Sequence, residues 1–279
     1  MQYGISILLS GISLGGQYAL IAIGYTMVYG ILRLINFAHG DVFMVAGLMM
    51  VYLSASLPLA AAIPLMIILT VLLGFIIERA AYKPLRTAPR MSVMISAIGV
   101  SYLLQNLVCY VTGGLAKQFP DIPLISQSIR VFGVKDKLAV FISPLVAVVL
   151  MVILVLIINH TKFGMSMRAV SKDFETAQLM GVKINRVISM TFIIGSFLAA
   201  VGALLYFAKN TGINHMAGST PGIKAFIAAV VGGIGSVPGA VVGALLIGVV
   251  ESLAKAFGLA DFSDVISFAL LIIILVIKP

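Results

Sequence analysis

The side chains able to do chemistry in this chain are few and scattered. His39, His160 and His215 are its three histidines. They lie far apart, with no His-x-x-x-His or Cys/His spacing, so no metal site is expected. Cys109 is the only cysteine; it sits in an apolar run and can form neither an internal disulfide nor a cysteine metal cluster. The GGIGS run at 232–236 looks like part of a dinucleotide loop, but the strand–helix–acid context is missing. No Gly-Lys-Ser/Thr phosphate loop occurs, so the chain is not expected to hydrolyse ATP. No Ser/His/Asp arrangement supports an enzyme working inside a membrane. What remains is the segment LRLINFAHGDVFMVAG, which gathers Asn36, His39, Gly40 and Asp41 at the start of an apolar run. Ionisable groups beside lipid are costly and tend to face a cavity, a pore or one another. The plain alternative is an interfacial loop with Arg33 and Asp41 at headgroup depth. Asp41 and Glu251 are the only carboxylates placed to lie within a membrane, whereas an ion-coupled secondary transporter would carry a denser set.

A membrane is what the rest of the sequence demands. The chain has 279 residues, 61% hydrophobic and 10% charged, with mean hydropathy +1.18. A soluble domain averages about 25% charged residues, so this one could not cover a water-facing surface. In lipid every backbone group must pair internally, leaving helices or a closed barrel. A barrel alternates apolar and polar residues over strands of roughly ten residues; the uncharged runs here are longer and apolar on every side. The expectation is an all-α polytopic membrane protein. The excess of 18 Lys and Arg over 9 Asp and Glu could suggest nucleic acid in a soluble protein. Here the basic residues cluster in connectors between apolar runs, as the positive-inside rule describes.

A crossing helix needs about 20 apolar residues. No charge precedes Arg33, so the first stretch reads as one long or locally broken helix, with Gly11, Gly15 and Gly16 as a close-approach surface. It has no basic n-region or small-residue cleavage site, and is expected to stay as a membrane helix. Val42–Ile77 is too long for one crossing and splits at Pro58 and Pro64. Met91–Val111, Leu138–Asn159 and Val187–Ala208 are further spans. Ala225–Val250 is broken by glycines and Pro238 between Gly232 and Gly239, and Val265–Ile277 is short for a complete span. About eight transmembrane or re-entrant segments result, in one transmembrane domain over 1–279. The stretches 112–137 and 209–224 read as loops. Ten basic residues fall at Arg33, 79–90 and 160–186, against six in the two loops. That places the N-terminus outside and 160–186 in the cytoplasm. For 225–250 the glycine break favours a dip that returns at GIGSVPG over a single crossing, which puts Lys278 inside.

The stretch TKFGMSMRAVSKDFETAQLMGVKINRV carries apolar residues at i, i+3 and i+4 spacing among charges. Gly181 can stop a helix with a positive φ. This is either a helix lying in the headgroups or a short helix pair that protrudes to dock a soluble partner. Glu175-Thr176-Ala177, three residues, then Gly181 resembles the Glu-Ala-Ala-x-x-x-Gly signature of permeases of ATP-binding-cassette importers, with Thr176 departing from it. The resemblance implies a cytoplasmic coupling helix, with Arg168, Asp173, Glu175, Ala177 and Gly181 in ATPase coupling.

The Asn-x-Ala-His-Gly element at Asn36, Ala38, His39 and Gly40 resembles that of the branched-chain amino acid permease subunits of ABC importers. ERAAYKPLR, MSVMISAIGVSYLLQN and the glycine-rich block 226–252 agree in the same order. The resemblance implies an ATP-driven importer subunit in a bacterial inner (plasma) membrane, working by alternating access. Implied partners are a second homologous permease, two ATPase subunits that hold the ATP and Mg, an extracytoplasmic solute-binding protein and membrane lipid, with no nucleic acid. No cofactor is expected on this chain. Asn36, His39, Gly40, Asp41, Gly232 and Gly235 would lie on the substrate path. The same resemblance covers carriers of urea and short amides, and it implies a short glycine-containing tail beyond Lys278 and Pro279. Finally, Ile35-Asn36-x-x-x-Gly40 is echoed by Ile213-Asn214-x-x-x-Gly218, the kind of trace left by internal repeats whose broken helices meet at a substrate path.

Overall fold

A computed structural model describes residues 2–86, 88–131 and 134–277. The chain begins with α1 (Gln2–Leu32), α2 (His39–Ser56) and α3 (Leu59–Ile77), the last running into a five-residue π turn at Glu78–Tyr82. Then come α4 (Arg90–Thr112), a strand β1 (Lys117–Gln118), the short α5 (Pro123–Ser126) and the strands β2 (Ser128–Val131) and β3 (Val134–Lys137). The long α6 (Leu138–His160) leads to α7 (Lys162–Lys172) and α8 (Phe174–Leu179), and α9 (Ile184–Lys209) to β4 (Gly212–Ile213). The described chain closes with α10 (Ser219–Val231), α11 (Val237–Ala256) and α12 (Ser263–Ile277). Seven helices are long and apolar enough to cross a membrane; α10 and α12 are shorter apolar helices. The all-α membrane fold expected from composition is what forms. Among the described residues the strands form two antiparallel pairs, β1–β4 and β2–β3, which cap one side. The fate of Lys278 lies outside the described residues.

At the centre runs α1, whose turn Ala19–Ile23 is wholly buried against α6, α9, α10 and α11. Lipid tails offer no hydrophobic gain for helix association, so close packing between small residues must supply it. A Cβ at Gly15 would meet Leu245 Cα of α11 at 2.7 Å, and one at Gly16 would meet Pro144 Cα of α6 at 2.7 Å. The glycine surface read from the sequence is therefore the seat of α6 and α11.

Two helices begin deep inside the bundle. His39, the first residue of α2, packs on Gly24 of α1 and Gly195 of α9, on the order of 12 Å from the end of α1 at 1.5 Å per residue. Arg33 ends α1 in the left-handed region, φ 51°, and residues 33–38 climb back to that depth. The other start is α10, where Gly218 and Gly222 lie against Gly40. From there α2 runs toward the strand side and α10 toward the α7 side. The remaining helices follow the same inversion: α1 to α4 correspond to α9 to α12 with opposite sense. The sequence offset that carries Gly40 onto Gly218 also carries Leu59, the first residue of α3, onto Val237, the first of α11. The short echo in the sequence thus marks the meeting point of two inverted repeats.

Two expectations change here. The segment expected as one crossing or one dip at 225–250 is the later part of α10, a turn, and most of α11. The glycine break at Gly232–Ser236 lies beside Gly30 and α7, at the end of the bundle rather than at mid-depth. Glycine is needed there because Gly233 and Gly235 have φ of 91° and 97°. Lys224, expected in an outer loop, is inside α10 and buried. Its removal from the loop count sharpens the charge asymmetry between the two sides.

Candidate functional site

A cavity of about 470 Å³ opens where the two broken helices meet, bounded by α1, α2, α4, α10 and α12. Its walls are mostly apolar, with Phe37, Ile98, Phe226, Phe268 and Leu271 among them. Polar groups converge at one place. The Ser101 hydroxyl donates to Asp41 Oδ2, and Gln105 Nε2 donates to Asp41 Oδ1 at 3.0 Å and to the Ser219 hydroxyl at 3.4 Å. The α4 residues 101 and 105 share a face because they are one helical turn apart, and Asp41 and Ser219 lie in the first turns of the two broken helices.

The residues singled out in the sequence separate in space. Gly40 and Asp41 line the cavity. Asn36 faces away from it and accepts from the Tyr82 hydroxyl at 2.6 Å, fixing the 33–38 loop to the π turn. His39 is buried with Nε2 unpartnered, edge-on to Tyr25 at 5.0 Å between ring centres. It fills the space that Gly24 leaves and does not border the cavity. Gly232 and Gly235 are likewise away from it, at the α7 side. Ser101, Gln105 and Ser219 were missed. A Ser-x-x-x-Gln pair in an apolar helix is their only sequence trace, and it acquires meaning only opposite a carboxylate.

On the α7 side the predicted hairpin forms. Thr161 caps α7 through Gly164 N at 3.1 Å, and Asp173 caps α8 by accepting from the backbone N–H of Glu175 at 3.0 Å and of Thr176 at 3.2 Å. Gly181 ends it with φ 82°. The Thr176 hydroxyl and the Thr176 backbone N–H hold the Asp173 carboxyl below its usual range. A depressed folded value means that the cap is at full strength above the unfolded pKa near ~3.9 and is lost only as pH falls through the lower folded value. The hairpin is therefore expected to be indifferent to pH from 5 upward (about one unit above that value), while Asp173→Ala speeds amide exchange at Glu175 and Thr176 at neutral pH. Hydrogen–deuterium exchange of the wild type and the variant checks this.

Arg168 is exposed and its guanidinium donates to the Ile158 carbonyl at the end of α6. Glu175 is exposed, but Ala177 is buried, 4% accessible, and so holds the hairpin together from beneath. The most exposed apolar residues of the hairpin are Leu179 and Met180, 87% and 81% exposed, which the motif did not single out. The hairpin is tied to the broken-helix loop: Arg33 Nη2 donates to the Ser171 carbonyl at 3.5 Å, and Phe174 and Glu175 share a cavity with Leu32, Leu34 and Tyr82. Beneath it the wholly buried Glu78 pairs with Arg86 and accepts from the Ser189 hydroxyl at 2.7 Å, locking the end of α3 to α9.

The sequence profile of the branched-chain amino acid transport system permease component matches residues 7–275. The high-affinity branched-chain amino acid transport system permease protein LivH of Salmonella typhimurium is 40% identical, over 99% of this chain and 94% of its own. BraD of Pseudomonas aeruginosa, with the same description, is 42% identical over 98% and 93%. The ribose import permease RbsC of Haemophilus influenzae is more distant, 24% identical over 93% and 80%. Among solved structures, a metal-chelate-type ABC transporter in an inward-facing conformation shares the fold with TM-score 0.51 at 16% identity, over 95% of this chain and 84% of that one.

Proposed function

We propose, from the premise that this chain belongs to the family of branched-chain amino acid transport system permease components, that it is a multi-pass inner-membrane subunit forming the amino acid path of an ATP-driven importer. The observation that carries the reading is the mid-depth cavity at Gly40 and Gly218, where two inverted half-helices meet. Permease sites are built at such junctions because a broken helix can rock at the break while the flanking spans stay packed. The energy comes from separate ATPase subunits that dock on α7 and α8. Leu179 and Met180 offer them an apolar tip. The force then passes from Ser171 and Phe174 to Arg33 and Leu34, and along residues 33–38 to Gly40 and Asp41. ATP binding would favour one arrangement of the cavity by its differential affinity for the two states. The exposed apolar faces of α4 and α12, with Tyr102, Leu103, Ile272 and Ile273, are open to lipid and to a second permease. An external solute-binding protein would meet the strand side.

The test is at the hairpin tip. Leu179→Asp with Met180→Asp alters neither of the N-cap side chains Thr161 and Asp173 nor the cavity, so the permease should insert normally. ATPase co-purification and leucine import should both fall about 30-fold or more, the size expected for central apolar contacts. Import at the wild-type rate would remove the hairpin from coupling.

A further inference from the structure

Three carboxylates are buried among the described membrane-spanning residues, and two of them have cations. Glu78 is paired with Arg86, and Glu251 with Lys224 at 2.9 Å and Lys255 at 2.7 Å. The third, Asp41, is 2% exposed and no Lys, Arg or His among the described residues pairs with it. Its only side-chain partners are the neutral donors Ser101 and Gln105. Two neutral donors orient a carboxylate without neutralising it, and a carboxylate has about four acceptor positions, of which two are filled. A buried charge without a counter-charge costs several kcal/mol, and a cation entering the cavity would relieve that cost. Asp41 borders the cavity, whose walls beyond Ser101, Gln105 and Ser219 are mostly aliphatic and aromatic. A bare metal ion would need a shell of about six to eight oxygen ligands, more than Asp41, Ser101, Gln105 and Ser219 offer, and Ile98, Phe226 and Leu271 supply none. A cation attached to a branched hydrocarbon fits both parts of the site.

We propose that Asp41 is the specificity residue that receives the α-ammonium group of the transported amino acid, with the side chain of the substrate lying against the apolar walls. This rests on the reading of the chain as an amino acid permease. It deepens that reading, because it separates amino acids, which carry a cation, from urea and short amides, which do not.

The full complex in proteoliposomes, with its solute-binding protein unchanged, tests the residue. Import of tritiated leucine by Asp41→Asn should fall on the order of 10- to 100-fold, the loss expected for a charged hydrogen bond. Asp41→Asn with Gln105→Asp moves the carboxylate across the same cavity from α2 to α4 and should restore most of the import. A structural role for Asp41 would show no such rescue. A readout on the wild type avoids any folding defect: saturation-transfer NMR on the nanodisc complex, without solute-binding protein, with 3-methylbutylamine and 4-methylpentanamide as probes. The amine should bind and be displaced by leucine, and the amide should not. Equal binding of amine and amide overturns the proposal, as does import by Asp41→Asn within about twofold of wild type, or a strict sodium requirement for leucine import. A wild-type complex that imports no leucine at all would instead sink the functional reading from which the proposal starts.

Discussion

Lys224→Met is expected to destabilise the permease by about 3–5 kcal/mol, enough to deplete the folded complex from the membrane. Lys224 of α10 lies between Glu251 of α11, at 2.9 Å, and Asp264 of α12, at 2.6 Å. Its side chain is 4% exposed and that of Glu251 is 3% exposed, and the Tyr18 hydroxyl of α1 donates to Glu251 at 3.0 Å. The cluster therefore joins four helices, one of which begins at mid-depth and has only 13 residues to hold it. Removing the lysine leaves Glu251 with Lys255, which is half exposed, and leaves Asp264 without its partner. Removing both charges is different, because a buried ion pair adds little over a well-packed apolar pair. Lys224→Met with Glu251→Leu should thus recover a large part of the loss. Thermal unfolding of the purified complex, with the amount of complex in the membrane as a second readout, decides between additive loss and rescue.

Gly218→Val is expected to abolish import. A Cβ at Gly218 would lie 2.8 Å from the Gly40 carbonyl carbon and 2.9 Å from Met44 Cβ. The obstacle is backbone, so no side chain can turn aside, and α2 and α10 must separate where the substrate is proposed to pass. Overpacking of this kind costs about 1–3 kcal/mol and moves both helix starts. Gly40→Val should behave alike, since its Cβ would meet the Gly218 carbonyl oxygen at 2.7 Å. Gly4→Ala is the control: nothing lies within 4 Å of its Cβ, and a change within about 0.5 kcal/mol is expected. Import and thermal stability measured on the three variants place the effect at the α2–α10 contact or remove it from there.

Both results concern contacts that only the fold reveals, and the division is physical. The sequence by itself determined the membrane, because no arrangement of a chain with this many apolar residues can cover a water-facing surface. It determined most span boundaries as well: Pro58 ends α2 and starts α3, and the run Leu138–Asn159 is α6 almost to the residue. It also placed the α7–α8 hairpin, whose caps and stop are local; Asp173 binds amides two and three residues away. These features follow from neighbours along the chain. The tertiary structure alone decided which polar residues meet. Asp41, Ser101, Gln105 and Ser219 come from three helices spread over the whole chain, and nothing in their spacing announces the cluster. Lys224 looked like a loop residue because a lysine in an apolar run is costly until Glu251 and Asp264 are beside it. The breaks at α2 and α10 left only a short echo in the sequence, since a helix can start at mid-depth only when an inverted partner packs against its first turn.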